Sequence, residues 1–321
     1  MTGKHSQRKM KRLRSISPTR HLTRVDDTWK LVGEGTHGKI FASPDAAHVI
    51  KQFPTRNVSH YAICHLKDDP DCELVIEPVS AATNREAKIQ EVARAALKQT
   101  LRRFDVELPR PRIPKITSFD ETPRNCYVGM QRLFPPGRSD GLIQINTAEA
   151  DRFERNSQGI FLGVAQLSRL LLDVKSALSV PKVVRDIAFL YATMHFEACI
   201  DAYDVEFVIA CFEGERWPVV AAIDFDKVQQ ITPQKAYPYC VCRKIAEGQF
   251  VPHKMMSSNH LHRFLASAIN SSGVVPHIAC PLRDTFIQAY EAVGSKMCQA
   301  SQLWEGDAPH RVIAYLHLLM E

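Results

Sequence analysis

Two short apolar runs, Phe207 to Ala210 and Val219 to Ile223, are separated by the polar stretch Glu213 to Arg216, a pattern that predicts a hairpin of two buried strands. Upstream, Val184, Ile187, Ala188, Tyr191 and His195 recur at helical spacing, which predicts a helix from Val183 to Glu197 opened by Pro181. Residues 147 to 178 also have helical periodicity, with Leu167, Leu170, Leu171, Val174 and Leu178 on one face. Two closing helices are expected at Pro281 to Met297 and Ala308 to Met320. Nearer the N-terminus, Leu31 to Phe41, Val49 to Lys51 and Tyr127 to Leu133 read as strands, Asn84 to Leu97 as a helix, and Phe134-Pro135-Pro136-Gly137 as a turn. The pattern therefore predicts an α+β chain: a strand-rich unit at 25–136, a mainly helical unit at 137–321 that carries an acidic loop, and a polar tail at 1–24.

Acids frame the hairpin. Asp201, Asp204 and Glu206 precede its first strand, and Asp224 and Asp226 follow its second. Carboxylates at these two chain positions converge on one end of the hairpin. Burying them unpaired costs several kcal/mol each, so a cation is expected between them: a metal, a lysine or a guanidinium substrate.

The segment LVGEGTHGKIF places Gly33, Gly35 and Gly38 in a G-x-G-x-x-G spacing, followed by Ile40 and then by Val49-Ile50-Lys51. Glu86 stands in the helical stretch beyond, where a partner for Lys51 is expected. With YVGMQRL at Tyr127 to Leu133 as strand and hinge, this order resembles protein kinases and aminoglycoside phosphotransferases. In that family a catalytic Asp is followed five residues later by Asn, then by a hairpin, then by Asp-Phe-Gly. This chain has Asp201, then Glu206, then the hairpin, then Asp224-Phe225-Asp226. The resemblance implies a protein-kinase-like bilobal fold, with a strand-rich small lobe and a mainly helical large lobe. It also implies a nucleotide or substrate cleft lined by Gly33, Gly35, Gly38, Lys51, Glu86, Asp224 and Asp226.

Composition narrows the function classes. The most apolar stretch, Phe161 to Val180, is interrupted by Gln166, Arg169, Asp173 and Lys175, so no membrane span is expected. A polar, basic N-terminus without an apolar core argues against a secretory signal, and nine scattered cysteines read as the reduced thiols of a cytoplasmic protein. Cys240 and Cys242, one residue apart, and the irregular His253, His260 and His262 do not match zinc-ligand spacing; no metal is expected. Residues 1–24 hold eight of the 41 Lys and Arg and no acid, leaving 33 against 35 Asp and Glu in the remainder. The positive balance thus belongs to a tail that is expected to be disordered on its own. A second basic stretch, Lys98, Arg102, Arg103, Arg110, Arg112 and Lys115, reads as a solvated face or as a nucleic-acid contact.

The helix before the loop, His195, the D-A-Y-D-V-E-F-V run and the closing I-D-F-D together resemble a fungal family of arginine-containing cyclodipeptide synthases, often misnamed zinc-finger proteins. The resemblance extends from about residue 30 to residue 320. It implies the joining of arginine to a second amino acid as a diketopiperazine, with arginyl-tRNA and a second aminoacyl-tRNA as partners and no cofactor or obligate protein partner. The family's essential acidic motif of two Asp and a Glu is matched by Asp201, Asp204 and Glu206, with two residues between the aspartates. A guanidinium suits such a carboxylate cluster, and an aminoacyl ester is already activated, so the reaction needs positioning and a base rather than ATP. The alternatives are a phosphotransferase using ATP and magnesium, and a catalytically inert kinase-like binding protein.

Overall fold

The computed structural model describes residues 25, 27–35, 38–44, 48–54, 82–121, 125–136, 143–144, 154–156, 159–161, 171–172, 177–200, 202, 205–215, 217–225, 228, 281–301, 304, 306–310 and 312–313. Five strands form an antiparallel sheet in the order β1-β2-β3-β5-β4: β1 (Lys30–Gly35), β2 (Gly38–Ala42), β3 (His48–Pro54), β4 (Ile116–Glu121) and β5 (Asn125–Gln131). Short connections fold β1 on β2 and β4 on β5, while the longer passage from β3 to β4 contains helix α1 (Ala82–Arg103). The helix docks on the sheet where Ala87 meets Ile116 and Val128 beside Met130. Arg102 and Arg103 occupy its last turn, where the negative end of the helix dipole favours them.

A second sheet is built on the acid-flanked hairpin. Strands β10 (Glu206–Phe212) and β11 (Val219–Ile223) pair antiparallel from Glu206↔Ile223 to Ala210↔Val219. Short strands β6 (Leu133–Phe134) and β7 (Ile143–Gln144) pair with β10, and β9 (Gly159–Phe161) and β8 (Glu154–Asn156) extend the sheet beyond β7. Residues 154–156 and 159–161 thus correct the helical periodicity expected across 147–178. That periodicity rests on the leucines from 167 onward, whereas Asn156 and Gly159 pair across a two-residue connection and suit a turn.

Helix α2 (Val180–Ala192) passes through the core. Ser179 caps it by accepting the Lys182 amide at 3.4 Å, with Pro181 in the first turn. From Val180 to Ala192 only Pro181 and Arg185 are exposed, so this helix is buried all round rather than along one stripe. It ends in one π turn, Thr193–Glu197, closed by the Ala198 amide on the Thr193 carbonyl at 3.0 Å. The expected helix from Val183 to Glu197 is therefore α-helical to Ala192 and π-helical beyond, and it starts three residues earlier.

Helix α3 (Pro281–Ser301) packs along α2 through aromatic rings. Tyr191 meets Phe286 edge-on at 6.3 Å, and from the π turn Phe196 and His195 lie 5.6 and 5.8 Å from Tyr290. Gly294 allows this approach: a Cβ there would lie 2.8 Å from Phe196 Cε2 and 2.7 Å from Pro309 Cγ. Gly294→Ala is expected to lower stability by about 1–3 kcal/mol through overpacking, measured by urea unfolding. Of the last expected helix, 308–310 and 312–313 are helical and the remainder lies outside the described residues. Among the described residues no helix is long and apolar enough to cross a membrane.

Candidate active site

β3 is the central strand of the first sheet, and its register aligns Gly33, Ile40, Lys51 and Val128 in one row across four strands. Directly paired residues of an antiparallel sheet face the same side, so Lys51 shares the face of Val128, against which α1 packs. Glu86 extends from α1 onto that face, and its Oε1 lies 3.1 Å from Lys51 Nζ. The third member comes from the far end of the chain: Asp224 Oδ1, just past β11, is 2.5 Å from the same Nζ. Lys51 is 8% exposed and Glu86 4%, while the Asp224 side chain keeps 33% of its surface open. A buried ammonium is thus held between two carboxylates, one deep and one opening to solvent. Of the acids that flank the hairpin, Lys51 meets Asp224.

Backbone strain is concentrated around this point. Among the described residues the non-glycine positive φ angles are those of Cys199 (53°), Ala202 (48°) and Asp224 (61°), all flanking the acidic loop or ending its hairpin. Left-handed conformations in residues with a Cβ persist only where neighbours over-determine them. Here the anchors are apolar: Ile200, Ala202, Val205, Phe225 and Val228 are buried in the main core beside the strained positions. The π turn at Thr193–Glu197 feeds directly into this segment.

Glu206 opens β10 opposite Ile223, the residue before Asp224. Register therefore brings Glu206 and Asp224 to the same end of the hairpin. Asp201, Asp204 and Asp226 lie outside the described residues. Gly33, Gly35 and Gly38 belong to the β1–β2 hairpin, where Gly35 pairs with Gly38, and Gly33 stands two strands from Lys51, about 10 Å away. Cys240, Cys242 and the three histidines after them, together with the basic tail, also lie outside the described residues.

His195 is a core residue. It is fully buried, and its Nδ1 is 2.7 Å from the Tyr290 hydroxyl, whose own ionisation burial pushes well above the ordinary tyrosine range. Cys199, beside the acidic loop, is raised to about 11 by burial, with Glu197 adding to the shift and Trp304 opposing it. Its thiol stays protonated at neutral pH and is a poor nucleophile.

One ionic pair escapes the sequence reading. Lys182 Nζ lies 3.0 and 2.9 Å from the two Asp186 oxygens, with both side chains nearly fully buried inside α2. Burial pushes the Asp186 carboxyl up to about 6, against the pull of Lys182. On an amphipathic reading these residues fall on the helix's polar side; the signal was their i,i+4 spacing, which fits a pair equally well in water or in a core.

No protein-family model matches the chain, and no curated protein is significantly similar to it in sequence.

Proposed function

We propose that this chain is a tRNA-dependent synthase that condenses arginine with a second amino acid into a cyclo(Arg-Xaa) diketopiperazine, on a protein-kinase-like scaffold. The observation that carries this reading is the convergence of Glu206 and Asp224 at one hairpin end, where Lys51 pairs with both Asp224 and Glu86. A carboxylate-rich mouth backed by an internal ion cluster suits a substrate guanidinium, which accepts carboxylates in a planar fork. The sheet order with a lysine in its central strand and a helix glutamate against it supports the kinase-like scaffold.

In the reaction, the α-amine of one aminoacyl group attacks the ester carbonyl of the other. A C–N bond forms as the C–O bond to the tRNA ribose breaks. A carboxylate of the loop takes the amine proton, and the ribose oxygen leaves as a hydroxyl after accepting one. The amine of the resulting dipeptidyl ester then attacks its remaining ester carbonyl, closing the six-membered ring and releasing the second tRNA. Both esters are consumed and nothing is oxidised or reduced. One of Asp204 and Glu206 holds the arginine side chain in this reading, and another acid of the loop is the base.

The test is mass spectrometry of extracts from bacteria expressing the chain or its Asp204→Ala variant. The expected result is a new arginine-containing diketopiperazine that vanishes in the variant. Undiminished product from Asp204→Ala would overturn the residue assignment, and soluble wild-type protein without product would overturn the activity.

The Lys51–Glu86–Asp224 cluster favours a second reading, a phosphotransferase in which Lys51 meets a nucleotide phosphate. On that reading, calorimetric titration with ATP shows magnesium-dependent binding that falls at least tenfold in Lys51→Met. On the synthase reading, magnesium-ATP binding is absent in both proteins.

A further inference from the structure

Helix α1 presents one stripe to solvent. Lys88, Ala95, Lys98, Gln99 and Arg102 are exposed, whereas Ala87, Ile89, Gln90, Ala93, Ala96, Leu97 and Thr100 are buried. At 100° per residue these five span about 100° of the helix circumference, and exposed Arg103, paired with Glu197, widens the stripe to about 140°. Lys98 and Arg102 stand one turn apart on it, about 6 Å along the axis. The one acid of the stripe, Glu91, is occupied: it receives Arg94 at 2.7 Å and the Ile116 amide at 2.9 Å.

That second bond brings the chain back along the helix, as does Gln90 Nε2 on the Pro114 carbonyl at 2.9 Å. Exposed Lys115, next to Ile116, therefore stands beside the stripe, and exposed Arg110 lies on the same returning segment with its Nε on the Val106 carbonyl. Other cations of this region are neutralised internally: Arg103 by Glu197 and Arg112 by Glu215. Glu107 is taken by Arg185. Among the described residues Lys88, Lys98, Arg102, Arg110 and Lys115 carry no ion pair, and exposed Asp105 is the acid left among them.

We infer that this face docks the sugar–phosphate backbone of RNA. Its chemistry excludes the competing surfaces. A membrane-binding helix sets apolar side chains beside its basic ones, and a protein interface needs an apolar centre. Of the exposed large hydrophobics in the described chain only Leu108 borders this face; Leu31, Val32, Leu172 and Trp217 belong to other elements. Cations spaced along a helix, with every neighbouring acid but Asp105 already paired, fit a run of phosphates, each contact releasing a counterion. The identity of the RNA as an aminoacyl-tRNA rests on the synthase reading; the face itself does not.

The test is fluorescence anisotropy of the full chain with labelled tRNA across a salt series, for the wild type and for Lys98→Ala/Arg102→Ala/Arg110→Ala/Lys115→Ala. All four positions are exposed, so the variant is expected to melt at the wild-type temperature. Its affinity is expected to fall at least tenfold near 0.1 M salt, with the slope of log K against log salt shallower by about 3. Lys98→Arg/Lys115→Arg is expected to bind as the wild type does. Unchanged affinity and slope in the folded quadruple variant would overturn the surface while leaving the synthase reading intact. A wild type that binds no tRNA would overturn both. Binding to anionic vesicles in place of RNA, lost in the quadruple variant, would also overturn it.

Discussion

Lys182→Met is expected to cost about 3–5 kcal/mol of stability at pH 8, because it leaves the Asp186 carboxylate buried in α2 without its counter-ion. Lys182→Met/Asp186→Leu is expected to recover most of that loss, since an apolar pair of similar volume has no charge to desolvate. Urea unfolding of the two variants and the wild type measures both. The pH dependence separates this account from simple packing damage. In the wild type Asp186 titrates near 6 in the folded protein against an ordinary 3.8. The folded state therefore binds a proton that the unfolded chain lacks between about pH 4 and 6; this contribution to stability is full below pH 4 and is lost as pH rises through 6. Without Lys182 the carboxyl is raised further, so the variant's deficit is expected to shrink at pH 5 and widen at pH 8. Asp186→Leu alone, which strands the ammonium instead, is also expected to lower stability. A deficit independent of pH in Lys182→Met would remove the ionic account.

Glu206→Gln is expected to lower the rate of diketopiperazine formation by about 10²–10⁴-fold while leaving the unfolding midpoint close to wild type. The side chain is partly exposed at the first residue of β10, and glutamine preserves its length and its place in the ladder opposite Ile223. What disappears is the charge, and either proposed role depends on it. As a base, the amide takes no proton; as the arginine clamp, it offers one acceptor where the guanidinium meets two. The roles separate in the kinetics: a lost clamp raises KM for arginyl-tRNA, whereas a lost base lowers kcat. Wild-type turnover by Glu206→Gln would remove this residue from the chemistry.

The sequence carries the hairpin and its charged partners because their signals are local and redundant. Apolar runs bounded by Glu206 and Asp224 define both strands, and a lysine in a β-branched run followed by a helix glutamate anticipates the Lys51–Glu86 contact. The β8–β9 pair was lost because strands of three residues are too short to establish a period, and the leucines downstream dominated the window. The π turn leaves no trace in residue spacing, since one inserted residue shifts the period only locally. Burial of Lys182 and Asp186 was illegible for a different reason: periodicity identifies one apolar face of a helix, and only tertiary packing reveals that both faces are covered.

The segment returning from α1 also touches the hairpin. The Arg112 amide bonds to the Val220 carbonyl at 2.9 Å and the Ala222 amide to the Arg112 carbonyl at 3.0 Å, while the guanidinium lies over Phe212 and pairs with Glu215. Among the described residues β11 is the outermost strand of its sheet and reads Val-Val-Ala-Ala-Ile, a short, uncharged run of the kind that pairs with other strands when its edge is left open. Arg112 occupies the hydrogen-bonding groups at the middle of that strand and sets a charge beside it. With Val219 to Ala222 buried and the Arg112 bridge in place, the outer edge of β11 is closed to pairing by another chain.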